Sequence, residues 1–366
     1  DTRASKNAMS TAYLAQAAGK KSIALNLDVQ GGKDVMHRLL ETADVLVENH
    51  RPQTLARLGL DESSLSDRYP RLVHCSLTGY GRGGDLENAP AYDVNIQAAC
   101  GLMAMTGTSQ TGPLRTGAPV MDYAAALAAG FAITSALFRR QMTGKGTFID
   151  VSMLETGFTL MSSAITDFLA TGNAPLPRGN AANSRSPGAG SFTCKEGILS
   201  LGVNEDSQFA MLARVTGKEG WLSDARFSTR ENRKTNAALF EAELAETLTT
   251  RTARQWEGMM LASGVPAACL RSLPESLSMH QIKARKFIHT DNGTGLRTPT
   301  LPFRIGHSEA HIPRSSAPKL GQHSEEILVK LGFSDAEVTK MVADGTVASD
   351  PSRKFPPLSE VSSTAE

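Results

Sequence analysis

Between residues 22 and 76 the apolar pattern switches repeatedly between strand-like and helical spacing, and this alternation constrains the fold more than any other feature. Residues 22–27 (Ser-Ile-Ala-Leu-Asn-Leu) read as a strand. Asp28 can cap the helix that follows, in which Val35, Met36, Leu39 and Leu40 recur at helical spacing. Residues 44–48 (Asp-Val-Leu-Val-Glu) read as a buried strand, followed by short helices at 54–58 and 62–69 and another strand at 72–76. Such a βαβαβ run buries its strands beneath crossover helices. The expected class is therefore α/β, with a doubly wound, Rossmann-like parallel sheet.

Further along, a glycine-rich loop at 79–90 leads into a helical stretch at 93–105. A loop at 113–119 precedes a long Ala-rich helix beginning near Asp122, then a strand at 147–151 and a helix at 153–170. Residues 123–138 carry no charge, but they fall short of the ~20 residues of a membrane span and are closed by Arg139 and Arg140. They read as a buried core helix, with no membrane partner. Pro, Gly and Asn accumulate at 171–187, the composition of a linker.

The 366 residues suggest two or three domains at roughly 100–200 residues each. The expected division is a large domain at 1–172, a linker and glycine-rich loop at 173–190, and a smaller α+β domain at 191–302. That smaller domain has strands at 197–203 and 265–271 and helices at 207–216, 236–249 and 253–263. A return segment at 303–347 carries a helix pair broken at Gly332, and a disordered tail at 348–366 closes the chain.

Composition narrows the function. With 38 Lys+Arg against 37 Asp+Glu and only 5% aromatic residues, neither bulk-charge nor base-stacking recognition of nucleic acid is expected. Cys75, Cys100, Cys194 and Cys269 form no CxxC pair, so no zinc site or disulfide framework is indicated, and a reducing compartment fits: cytoplasm, or mitochondrion in a eukaryote. His307 and His311 have i, i+4 spacing, but Gly306 and Pro313 flank them, and they read as a surface pair rather than metal ligands. No Gly-x-Ser-x-Gly elbow or Walker loop occurs.

Two segments could carry chemistry. Gly79-Tyr-Gly81-Arg-Gly-Gly84 fits a dinucleotide-binding pattern after a strand, but it runs into Asp85-Leu-Glu-Asn-Ala-Pro90 instead of opening a helix, so a mobile loop is the better reading. Asp122 stands at the mouth of the Ala-rich helix. By spacing alone a helix cap is the favoured reading, and the alternative is a carboxylate nucleophile beside a helix N-terminus.

Several motifs occur together, in order and spacing: residues 20–27, Ala43-Asp-Val-Leu-Val-Glu-Asn-His-Arg-Pro52, Pro70-Arg-Leu-Val-His-Cys-Ser76, Pro90-Ala-Tyr-Asp93, Gly144-Lys-Gly146 and Ser152-Met-Leu-Glu155. From residue 1 to about 347 the chain resembles the class III CoA-transferases. This family includes formyl-CoA:oxalate and carnitine CoA-transferases and, with altered catalysis, 2-methylacyl-CoA racemases. The resemblance implies a CoA-binding domain plus a smaller one in an interlocked homodimer. It also implies acyl-CoA and a small carboxylate, such as a short dicarboxylate, as substrates, with no permanently bound cofactor.

The resemblance places the nucleophile on Asp122. It places CoA contacts on Leu25, Asn26, Asn49, His50 and Arg57, the thioester and acyl pocket on Tyr92 and Asp93, and a closing glycine-rich segment on Gly188 and Gly190. An arginine suits a CoA phosphate because its guanidinium is permanently charged and bidentate. The racemase branch has a His where Tyr92 stands. Tyrosine titrates at ~10 and is a poor proton shuttle at neutral pH, so transfer is favoured over racemisation; a non-catalytic CoA-binding protein is the remaining alternative. Relatives also carry a strand, loop and helix ahead of the residues that open this chain, so a shortened N-terminus is expected.

Overall fold

The computed structural model describes residues 5–6, 9–182, 184, 186–306 and 315–349. His307, His311 and nearly all of the expected tail lie outside these residues; Ala348 does not, and it is part of a strand. Three strands, Val45–Glu48, Val73–Thr78 and Thr147–Ser152, form a parallel sheet in that order, with Val45 opposite Val73 and Val73 opposite Thr147. Helices Pro52–Leu58 and Glu62–Arg68 connect the first two strands. Parallel neighbours need such crossovers, and the class is α/β as expected.

The strand expected at 22–27 takes another course. Only Ala24–Leu25 is strand, and it pairs antiparallel with Val347–Ala348. Its backbone donors explain why: Ser22 N–H goes to His323 Nδ1, Ala24 N–H to Ser324 Oγ and Asn26 N–H to Thr346 O. Each donor is satisfied by residues about 300 positions later, and apolar packing supports the pairing. Val35 from helix Gln30–Thr42 is buried with Leu328, Phe333, Val338 and Val347. Asp28 does not cap that helix; Val29 holds the cap position and Asp28 pairs with Arg57.

The chain divides into two compact units, and not where composition suggested. The first comprises residues up to Cys100, Ala118–Ser162 and residues from His280 onward; the second comprises Gly101–Gly117 and Ser163–Met279. Residues 280–302 belong to the first unit. Their hairpin, Ile288–Thr290 with Arg297–Pro299, encloses a small cavity with Leu14, Ala18 and Ala317. Residues 101–117 belong to the second unit, where Gly179 N–H donates to Gly107 O at 2.6 Å. Two expected helices break at these boundaries. The stretch at 93–105 divides at Gly101, whose φ of +86° favours glycine, and the stretch at 153–170 divides at Met161.

The second unit has an antiparallel sheet, Ala189–Thr193, Ile198–Gly202 and Ala267–Cys269. Phe240 is fully buried at its centre, with the rings of Phe209, Trp221 and Phe227 edge-on at 5.1–5.6 Å. Such geometry adds to the hydrophobic gain of burial.

In the first unit the Ala-rich helix runs Val120–Thr143. By length and composition alone it could cross a membrane. Met121, Ala125, Ala129, Ala136 and Arg140 form a buried stripe at three- and four-residue multiples, and small side chains let it approach the sheet. The opposite face is exposed at Tyr123, Leu127, Phe131, Phe138 and Met142. The expected core helix is thus buried on one side only, because only the small-residue face meets the sheet.

Candidate active site

Pro119 holds the N-cap position of helix Val120–Thr143 and offers no side-chain acceptor. The missing cap comes from another helix. Asp93, first residue of helix Asp93–Ala99, accepts the Met121 N–H at 2.7 Å and the Asp122 N–H at 3.4 Å, both on Oδ2. Its Oδ1 accepts from Gln97 Nε2 at 2.5 Å. Asp93 and Gln97 are both buried. A buried carboxylate is tolerated here because both oxygens are hydrogen-bonded and one faces a helix N-terminus.

With Asp93 doing the capping, the Asp122 carboxylate has no hydrogen bond among the described residues. Asp122 is exposed at its outer edge, yet partial burial, and then the like charge of Asp93, push its carboxyl above the usual carboxylate range. A more basic carboxylate without a structural partner is a better nucleophile. Behind it, helix Met153–Leu160 packs through Gly157, where a Cβ would sit 2.9 Å from Cys100 Sγ and 3.2 Å from Met121 Sδ. No larger residue fits without moving Cys100, and Met121 would have to give as well. Tyr92 is 80% exposed beside Asp93, its backbone N–H held by Asn95 Oδ1.

The residues expected to hold CoA gather at the ends of two strands. Leu25 and Asn26 precede helix Gln30–Thr42, whose Gly32 is indispensable: a Cβ there would overlap the Asn26 carbonyl oxygen at 1.8 Å. Arg57, in helix Pro52–Leu58, is exposed and forms an ion pair with Asp28 at 2.5 Å, while Asp28 N–H donates to Asn26 Oδ1. Arg57 and Asn26 are thereby linked through one residue. Leu27 and Leu46 pack on the same apolar cluster as Leu55 and Leu58. Asn49 and His50 are exposed at the end of strand Val45–Glu48.

Sequence reasoning missed the group under this edge. The Glu48 side chain is 6% exposed. Its Oε2 accepts the His50 N–H at 2.7 Å; its Oε1 lies 3.4 Å from His74 Nε2 and 3.7 Å from Arg82 Nη2. Burial opposes ionisation of Glu48, but its contacts with His74, Ser76 and the His50 amide outweigh burial and hold the carboxyl below its usual range. Arg82 also donates to Ser76 Oγ at 3.0 Å and lies 4.8 Å over the Phe148 ring. The loop at 79–84 is therefore pinned, not loose: Gly81 N–H goes to Thr78 Oγ1, Arg82 N–H to Asp150 Oδ2 and Gly83 N–H to Glu87 Oε2. The only hint in the sequence was an arginine inside a glycine run.

Gly188 and Gly190 belong to the second unit. Gly188 has φ +86° and lies against Phe240, and Gly190 pairs with Leu201 in a strand. Gly188 thus has a structural reason to be glycine, whereas a Cβ at Gly190 would meet only ordinary contacts at 3.9 Å. Among the described residues no group of three His, Cys, Asp or Glu side chains is placed to hold a metal.

A family model for CoA-transferase family III matches residues 1–324. An acetyl-CoA:oxalate CoA-transferase of Acetobacter aceti is 32% identical over 87% of this chain and 82% of its own length. A succinate–glutarate CoA-transferase of Agrobacterium fabrum is 30% identical over 89% and 82%. Among solved structures, a CAIB/BAIF family protein from Brucella suis superposes with a TM-score of 0.76 at 29% identity, covering 88% of this chain and 84% of that one. The chain belongs to CoA-transferase family III and is a class III CoA-transferase.

Proposed function

We propose that this enzyme moves CoA from an acyl-CoA such as succinyl-CoA to a short dicarboxylate, with Asp122 as nucleophile. The observation that carries the reading is the Asp122 carboxylate itself, relieved of capping by Asp93 and made more basic by partial burial and by that neighbour. Several relatives are named for dicarboxylate acceptors, among them glutarate, oxalate and malate.

The Asp122 carboxylate attacks the thioester carbonyl and expels CoA thiolate, leaving a mixed anhydride. The thiolate then attacks the aspartyl carbonyl and releases the donor acid, giving an aspartyl-CoA thioester. The acceptor carboxylate attacks that thioester, forming a second anhydride and thiolate. The thiolate takes the acceptor acyl group and frees Asp122. Each step exchanges one acyl bond for another, and the requirement on the protein is to keep water from the anhydride. Leu25, Asn26, Asn49, His50 and Arg57 bind CoA in this reading, with a phosphate displacing Asp28 from Arg57, and Tyr92 lines the acyl pocket.

An acceptor labelled with 18O in its carboxylate tests the sequence of bonds. One labelled oxygen enters the Asp122 carboxylate per turnover and is read by peptide mass spectrometry. Asp122→Ala is expected to lose transfer by about 10^3-fold or more. Transfer without label at Asp122 would falsify the reading. We also propose that a second copy covers the apolar face at Tyr123, Leu127, Phe131 and Phe138. Sedimentation should then give a dimer, and Phe131→Glu should weaken it.

A further inference from the structure

We infer that Glu48 is a positioning residue: one buried carboxylate clamps the Asn49–His50 turn to the loop at 79–90, so that both move as one body at the CoA-binding edge. This rests on the proposed role of Asn49 and His50 in holding CoA. Neither Glu48 nor Arg82 touches substrate in that scheme.

The geometry is specific. Glu48 ends its strand with its side chain buried, pairing by register with Ser76 in the next strand. Its two oxygens do different jobs. Oε2 holds the backbone N–H of His50 at 2.7 Å and so fixes the direction in which the chain leaves the sheet. Oε1 makes no hydrogen bond among the described residues but faces His74 Nε2 at 3.4 Å and pairs by charge with Arg82 Nη2 at 3.7 Å, and Arg82 is itself anchored on Ser76 Oγ and over Phe148.

A second tie lies further along the same two segments, where Gln53 N–H donates to Asn88 Oδ1 at 3.3 Å. The loop thus meets the turn at two points, one buried and one exposed. Glu87 closes the loop between them, accepting from Gly83 N–H and Asn88 Nδ2. The two ends of the loop meet beside Asp93: Gly79 lies so close to Ala91 that a Cβ at Gly79 would come within 2.4 Å of the Ala91 side chain. A charge that bridges two backbone segments inside the protein is costly to leave half-paired, so these contacts should act together.

The test is a double-mutant cycle of Glu48→Gln and Arg82→Gln, read as the Kd for CoA by calorimetry and as KM for acyl-CoA, acceptor KM and kcat. Each single change is expected to raise Kd and acyl-CoA KM by roughly tenfold, with kcat falling less and acceptor KM unmoved. The double variant should also stay near tenfold, not ~100-fold, because both changes break one clamp. In Glu48→Gln the amides of residues 79–84 should exchange with deuterium faster than in the wild type. A purely structural role would lower thermal stability and the active fraction while leaving Kd unchanged in the folded protein.

Should Glu48→Gln fail to fold, Arg82→Gln gives the same test from the loop side, through faster exchange at residues 48–53 and a raised Kd. Wild-type CoA binding with Kd unmoved in the variants, or with multiplicative effects, overturns this inference alone. A wild-type protein that binds no CoA overturns the proposed function and the inference with it.

Discussion

The two ends of helix Val120–Thr143 are built on opposite terms. At the C-terminal end Arg140 is buried and donates to the carbonyls of Asp44 and Arg71 at 3.1 and 3.0 Å and to Asp44 Oδ1 at 2.7 Å. Gly144 closes the helix with φ +71° and donates to Arg140 O, while Arg71 Nη1 donates to Gly144 O. Opposite charges meet carbonyls and a carboxylate, as a helix C-terminus favours. At the N-terminal end two carboxylates share one turn, and the ionised form of Asp122 is disfavoured. One end of the element is tied down and the other carries the strain, the arrangement expected where chemistry is placed on a stable support.

Substitutions at the two ends should therefore separate stability from activity. Arg140→Met leaves the Arg71 carbonyl without its donor and takes one of two donors from the Asp44 carbonyl, which keeps the Val73 N–H at 3.1 Å. That should cost roughly 2–4 kcal/mol, with little from the ion pair because Asp44 is mostly exposed. The thermal midpoint should fall by roughly 5–10 °C, while kcat per folded molecule at low temperature stays at the wild-type value. A large loss of kcat in protein shown to be folded would mean the C-terminal tie also serves the site.

Asp93→Asn works at the other end and has the reverse signature. The amide oxygen can still accept the Met121 N–H, so the helix keeps its cap, but the like charge beside Asp122 is gone. The Asp122 carboxyl then titrates lower. The acid limb of kcat/KM should move to lower pH, and the less basic carboxylate should lower kcat by no more than about two- to threefold. A pH profile superimposable on the wild type would show that Asp93 acts as a cap and nothing more.

Much of the fold was legible in the sequence and little of this contrast was, and the reason is range. Strands at 44–48, 72–76 and 147–151 carry compact apolar runs bounded by turns, and all three are present. The segment 22–27 carried the same signal, but its hydrogen bonds lie at residues 323–348, and nothing local reports a partner so distant. Asp122 could be read as nucleophile or as cap. The distinction hangs on Asp93, 29 positions earlier, whose side chain reaches the helix only after folding. Glu48 and Arg82 were silent for the same reason, each meaningful only through the other. The charge-free run at 123–138 gave its helix correctly but its burial wrongly, since hydropathy marks a surface to be covered without saying what covers it.

The smallest expected effect decides most directly between the two readings of Asp122. Its carboxyl is raised above the unfolded value, so the ionised group costs stability at any pH above its folded titration point. That cost disappears as pH falls through the folded titration point toward and below the unfolded one. Asp122→Asn removes the charge while keeping the shape. The variant should thus melt slightly higher than the wild type at neutral pH, by about 1 °C, and the two curves should converge in acid. The dipole of the helix works against this, because it favours an anion in the first turn. Asp93 already occupies that position, so partial burial and, after it, the repulsion between the two carboxylates should win. If Asp122→Asn instead melts lower at neutral pH, Asp122 is a stabilising first-turn anion, and its carboxyl is not held in the destabilised state that the contrast between the two helix ends requires.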